Sequence, residues 1–255
     1  MALGNPGYWW IIVGGVFLLA GLVKGVVGMG LPTVAMGLLA VTMPSAEAAA
    51  ILLIPSFVTN VWQLFSGVSL GSLWRRLWTM MVGIIIGTVS GAGLLTDSHS
   101  IVTRGALGVA LVIYGAFGLS AVRFSIRRGC ETWLSPLIGT VTGLITGATG
   151  VFVIPAVPYL QALDLDRRGL IQALGLSFTV STVALAGGLL RHGAIASASP
   201  LLGISLLSLV PALLGMFAGQ HLRERMKADT FRRAFFIGLL LLGVYIALEA
   251  LPDLT

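Results

Sequence analysis

Charge is what this sequence has least of. Only 9% of its 255 residues are Asp, Glu, Lys or Arg, against about 25% in an ordinary soluble domain. That shortage excludes a soluble globular fold. Cysteine is nearly missing too. Cys130 stands alone, so it can close no internal disulfide, and it has no Cys or His neighbours at metal-ligand spacing. A disulfide scaffold and metal or redox chemistry are therefore disfavoured, and no cofactor is expected. No charge of either sign precedes Lys24, whereas a secretory signal opens with a basic region. The apolar N-terminal stretch is expected to be the start of the membrane domain itself.

What the chain has in abundance is apolar length. Hydrophobic residues make up 57% of it, together with 34 glycines, and the mean hydropathy is +1.01. These values exclude disorder, and the glycines follow no collagen period. Spanning a hydrocarbon core takes about 20 apolar residues in a helix. A β-barrel would alternate polar and apolar positions, but Val109 to Gly118 is apolar on every face. The expected fold is an all-α polytopic membrane protein, one transmembrane domain over residues 1–255. The net charge of +6 sits mostly at segment ends, where membrane topology explains it without nucleic acid.

Six segments read as plain spans: 46–66, 77–95, 101–121, 169–190, 200–220 and 231–250. Two do not. Residues 8–43 as one helix would reach about 54 Å, far beyond the bilayer. A break is expected within Gly21-Leu22-Val23-Lys24-Gly25-Val26-Val27-Gly28-Met29-Gly30-Leu31-Pro32, leaving flanks of about 15 and 13 residues. Residues 134–163 repeat the arrangement, with Gly143, Gly147 and Gly150 falling on Gly21, Gly25 and Gly28 at an offset of 122, and Thr146 on Lys24. Downstream, Ser56-Phe57 matches Ser177-Phe178, Asn60 matches Ser181, and Gly83, Gly87 and Gly91 match Pro211, Gly215 and Gly219. The pattern predicts an internal duplication over about 8–121 and 133–250, each half one broken segment plus three transmembrane helices.

Loop charge bears on topology. If each broken segment crosses once, Lys and Arg divide 6 against 8; if each is a re-entrant hairpin, they divide 12 against 2, leaving only Arg104 and Arg191 on the poor side. The positive-inside rule favours hairpins, which makes the halves inverted repeats with both termini outside.

Broken helices leave backbone N–H groups unpaired near Gly28 to Leu31 and near Gly150 to Val153, and such ends attract anions. Lys24 is the one charge well inside the first broken segment, where the alternative is a stem that snorkels to the interface. Polar side chains follow in the next span of each half. Asn60 and Ser177 are the strongest, beside Ser181 and Thr149; interhelical hydrogen bonding is their commoner use. The substrate-binding candidates are thus Lys24, Gly25, Gly28, Gly30, Asn60, Gly147, Thr149, Gly150, Ser177 and Ser181. Glu47 and Glu249 lie at helix ends, which gives a carboxylate relay little support. Gly175-Leu176-Ser177 is followed by Phe178 and no histidine lies in the body of a span, so an intramembrane hydrolase is disfavoured and the chain is expected not to be an enzyme.

The Gly21 to Pro32 run, its echo from Gly143 to Pro155 and the Pro211 to Gly219 segment resemble the TauE/SafE family of sulfite and organosulfur exporters. The resemblance covers nearly the whole chain. It implies a multi-pass permease of a prokaryotic plasma membrane for small oxidised-sulfur anions such as sulfite, thiosulfate or sulfoacetate. The second motif departs from the first, lacking the lysine and ending Val151-Phe152-Val153-Ile154-Pro155. A small-carboxylate transporter or an anion channel is the alternative reading; an assembly protein is a remote one. The partners expected are a small anion and the bilayer, with homo-oligomerisation left open.

Overall fold

The computed structural model describes residues 6–67, 70–96, 101–120, 125–126, 128–194, 199–225 and 228–251. Among these residues the regular structure is helical throughout. Ten α-helices run in order: α1 Pro6–Val27, α2 Leu31–Leu39, α3 Ser45–Leu64, α4 Leu70–Thr96, α5 Ile101–Leu119, α6 Glu131–Thr149, α7 Ala156–Gln161, α8 Arg167–Arg191, α9 Ser199–Arg225 and α10 Ala228–Ala250. Seven of the described helices are long and apolar enough to cross a membrane, α1 among them. Large apolar side chains such as Ile11, Trp78, Ile86, Leu206 and Leu241 face outward, as they must against lipid.

Both breaks occur, but they are narrower than the glycine spacing suggests. α1 runs for 22 residues straight through Gly21 and Gly25 and stops only at Gly28, and α2 adds 9. The expected flanks of about 15 and 13 are therefore corrected. The reason is that Gly21 and Gly25 serve packing: a Cβ on Gly21 would lie 2.1 Å from the Ala212 carbonyl oxygen, and one on Gly25 would lie 2.2 Å from that of Met216. Gly28 and Gly30 instead hold φ of +85° and +104°, a left-handed backbone that ends a helix and that side chains resist. The second break behaves alike. α6 passes through Gly143 and Gly147, which pack against the carbonyls of Ile84 and Thr88, and ends at Gly150 with φ +71°. Two spans are also longer than expected, α4 beginning at Leu70 and α9 reaching Arg225.

Contacts fix the helix directions. Along α1, Gly21 and Gly25 meet Ala212 and Met216 in turn, so α1 and α9 are parallel. Gly83, Gly87 and Gly91 meet Pro136, Thr140 and Leu144, so α4 and α6 are parallel as well. Gly188 beside Ala92 and Gly93 beside His192 set α4 parallel to α8. Ser205 on Ile51 and Ile54 with Phe217 edge-on to Trp62 sets α3 parallel to α9. By contrast α3 crosses α8 in the opposite sense, Asn60 meeting Thr182 while Leu64 meets Gln172. α5 and α10 are likewise antiparallel, with Gly108 on Ala247 and Gly118 on Phe236.

These directions make two hairpins. α1 runs alongside α3, while α2 returns in the direction of α10, Gly30 lying by Phe235 and Gly37 by Leu242. The α6–α7 unit also doubles back, since Tyr159 of α7 lies 2.6 Å from Ser135 near the start of α6. Arg75, Arg76, Arg167, Arg168, Arg223, Arg225, Arg232 and Arg233 gather at one end of the bundle, here the basic end; Arg104 and Arg191 are at the other. Arg123, Arg127, Lys227 and His99 lie outside the described residues. At the basic end Arg76 makes a two-pronged ion pair with Glu131 at 2.7 and 2.6 Å, and also donates to the Leu163 carbonyl, tying α4 to both arms of the second hairpin.

Where glycine lets two backbones touch, any larger side chain must push the helices apart. Gly21→Val and Gly143→Val are each expected to destabilise the protein by about 1–3 kcal/mol or more, read as a lower melting temperature in detergent. Gly203→Val, at a position with open space around it, is expected to change little.

Candidate functional site

Lys24 lies on the last turn of α1, and only 4% of it is exposed. Its ammonium donates to Thr59 Oγ1 at 3.1 Å and to Asn60 Oδ1, both on α3. Thr59 is held by donating to the Pro55 carbonyl one turn back. Asn60 Nδ2 reaches on to Thr182 Oγ1 at 3.4 Å, close to the middle of α8. Among the described residues no carboxylate comes within ion-pair distance of Lys24. An ammonium whose partners are all neutral oxygens has no carboxylate to neutralise it, and has a third N–H left to donate.

The break after α1 is pinned by Gln63. Its Nε2 donates to the Gly28 carbonyl at 3.0 Å and to the Ile171 carbonyl at 3.2 Å. Two carbonyl acceptors fix which end of the amide is nitrogen. One side chain on α3 thereby ties the end of α1 to the start of α8, while Gln172 returns the favour by donating to the Leu64 carbonyl at 3.0 Å. Beyond the break, the amides of Leu31 and Thr33 are first-turn donors of α2 without intrahelical acceptors.

Lys24 sits at the inner end of a cavity of about 320 Å³. Gly25, Gly28, Thr59 and Gln63 line it beside Lys24; Trp62, Ile171 and Met216 supply an apolar wall; Ser66, Arg168, Gln220, Arg223 and Glu224 line it toward the basic end. Three basic side chains against one carboxylate give this cavity a net positive lining. Its chemistry is that of a small-anion pocket, with a fixed inner cation, hydroxyl and amide groups, and arginines on the way in.

Of the candidates read from sequence, the structure brings Lys24, Gly25, Gly28 and Asn60 together. The rest lie elsewhere. Gly30 packs on Phe235, Gly147 on the Thr88 carbonyl and Gly150 on Met36. Thr149 donates to Ile145 and accepts from the Val151 amide, so it caps its own helix end. Ser177 and Ser181 are fully buried on α8, with hydroxyls that have no partner. Arg168, Gln220, Arg223 and Glu224 were not among the candidates. The sequence marks only the two arginines, and those as loop charges; the convergence of α8 and α9 on the mouth of the cavity gives all four a place there.

A model of the sulfite exporter TauE/SafE family matches residues 13–246. No curated protein and no solved structure matches the chain.

Replacing Gln63 by Leu leaves the carbonyls of Gly28 and Ile171 without their donor. The expected cost is about 1–3 kcal/mol, seen as a fall in melting temperature, and it should exceed that of Ser66→Ala at the rim of the same cavity.

Proposed function

We propose that this chain, which belongs to the sulfite exporter TauE/SafE family, is a secondary transporter whose substrate anion binds at the Lys24 cavity. The single observation carrying this reading is the Lys24 ammonium, buried at the inner end of an open cavity with neutral oxygens as its only partners. A cation buried at membrane depth marks a substrate or ion pathway. Seven apolar helices and the family assignment make this a multi-pass membrane protein.

The architecture behind the proposal is a duplication whose halves are inverted. In support, glycine pairings recur at matching offsets: Gly87 meets Thr140 and Leu144 just as Gly215 meets Leu18 and Leu22. The matched helices α3 and α8 cross antiparallel, as do α5 and α10, which a twofold axis perpendicular to the helices requires. The hairpin directions put both chain ends opposite the basic end. Positive-inside bias then sets the basic end in the cytoplasm of a prokaryotic plasma membrane, with the cavity open to that side.

In this reading an anion enters past Arg168 and Arg223 and accepts the third N–H of Lys24. Thr59 and Asn60 hold the ammonium in place and keep it hydrated in effect when no anion is present. Rocking of one half against the other then exposes the site to the far side. Oxidised-sulfur anions such as sulfite, thiosulfate or sulfoacetate are the proposed substrates, an assignment supported by the family; the pocket chemistry alone suits small carboxylates equally.

The test is the melting temperature of the purified protein with sulfite, thiosulfate, sulfoacetate, taurine, acetate, oxalate and sulfate, repeated with Lys24→Gln. A ligand at 100 times its Kd stabilises the folded form by about 2.7 kcal/mol. A rise with the sulfur oxyanions that disappears in Lys24→Gln is expected. An equal rise in the variant would remove Lys24 from the site, and a rise with acetate or oxalate alone would overturn the sulfur assignment while leaving the pocket. Orientation is checked separately in intact cells, where an impermeant maleimide should fail to reach Cys130, at the start of α6, or a cysteine at Asp164 beyond α7.

A further inference from the structure

The duplicated sequence supplies one matched position for nearly every residue that lines the cavity. At the offsets established above, Lys24 falls on Thr146, Asn60 on Ser181, Met216 on Thr88 and Gln220 on Ala92. Gly67, next to the cavity residue Ser66, falls on Gly188. At the basic end Gln220 is exposed and lines the cavity. At the other end its match Ala92 is fully buried, and a Cβ on Gly188 would lie 2.5 Å from that of Ala92. α4 and α8 are therefore in direct contact at the position whose match, Gln220, lines the cavity.

The residues behind this closed contact are not those of an ordinary apolar interface. Thr88 and Ser181 are both fully buried, and neither hydroxyl has a hydrogen-bond partner. Thr146 spends its hydroxyl on the carbonyls of Thr142 at 2.8 Å and Val151 at 3.2 Å, across the second helix break. An unpartnered hydroxyl sealed in an apolar core is unfavourable in this state alone. It becomes favourable if the protein visits a second state in which that hydroxyl meets water or a ligand.

We propose that Thr88, Thr146 and Ser181 line a second, presently closed half of the pathway, and that the Ala92–Gly188 contact is its gate. This rests on the transporter reading above. When α4 and α8 separate, these hydroxyls donate to the oxyanion as it leaves Lys24. The exit half has no basic residue at these matched positions: Arg168 falls on Glu47, Arg223 on Leu95 and Lys24 on Thr146. An anion is thus gathered by charge at the basic end and released through hydroxyls at the other, so its apparent affinity is weaker from the far side.

The experiment uses the full chain with Cys130→Ser and Ser181→Cys, expressed in intact cells and exposed to an impermeant maleimide. Gly188→Leu is added as a wedge in the gate, with Ala92→Val as a milder wedge in case the first does not fold. A far-side-open state held at roughly 10% or less becomes the major one, so labelling at position 181 should rise by about tenfold or more. Equal labelling with and without a folded wedge would overturn the proposal. The sulfite-dependent melting shift is measured on the same proteins. If labelling rises but no protein shows any anion-dependent shift, the gate stands and the anion reading fails; if the shift persists and labelling stays flat, the reverse holds.

Discussion

Hydrocarbon offers no hydrogen bonds, and that constraint governs how this chain can interrupt a helix. Every N–H and C=O exposed by a break at depth has to be met by protein. At the first break the Gln63 amide takes the Gly28 carbonyl. At the second, the Thr146 and Thr149 hydroxyls serve the Val151 carbonyl and amide. The breaks are also wrapped: Tyr114 donates to the Met29 sulfur at 3.1 Å, and Met36 of the first hairpin packs on Gly150 of the second. The groups that satisfy the backbone are the same groups that give the bundle a polar interior. A site for a hydrophilic ligand is thus a consequence of breaking the helices at all.

Packing follows from the same solvent. Lipid tails give apolar side chains little reason to leave them for one another, so helices associate where backbones can approach closely. The α1–α9 and α4–α6 pairs do so through runs of glycine on both partners, carbonyl against Cα. Such seams are rigid, since neither partner has a side chain to reorient. The α3–α8 crossing adds to one such approach, Gly175 against Leu64, hydrogen bonds from Asn60, Gln63 and Gln172. Hydrogen bonds between side chains and carbonyls can be exchanged for others as helices slide. Two glycine-sealed pairs meeting across a polar crossing is the arrangement expected of bodies that move against each other.

Much of this was readable in the residues. The helical class, the six plain spans and the two breaks followed from apolar length and from glycine clustered with proline. Lys24 stood out because a lone charge within 36 apolar positions, 8–43, has few innocent explanations. What the spacing could not separate was the two uses of glycine. Gly21, Gly25, Gly28 and Gly30 look alike in sequence, yet the first two sit inside a regular helix against a neighbour's backbone and the last two hold positive φ. The distinction depends on whether another helix lies opposite, a long-range fact. For the same reason Arg168 and Arg223 carried no site signal, because their roles depend on where α8 begins relative to where α9 ends.

On the proposed duplication, function has to come from departures rather than from the repeat itself. Glycine positions match between the halves because the fold needs the same close approaches twice. The polar and charged positions do not match: lysine against threonine, asparagine against serine, glutamine against alanine at Gln220 and Ala92. A perfectly symmetric pair of half-sites would present two cations to one small anion, and would hold it too firmly at both ends to let it go. With the cation on one arm and hydroxyls on the other, the proposed binding and release are chemically different events. On the proposed reading the fold is maintained by what the halves share, and passage of an anion by the lysine that only one of them has.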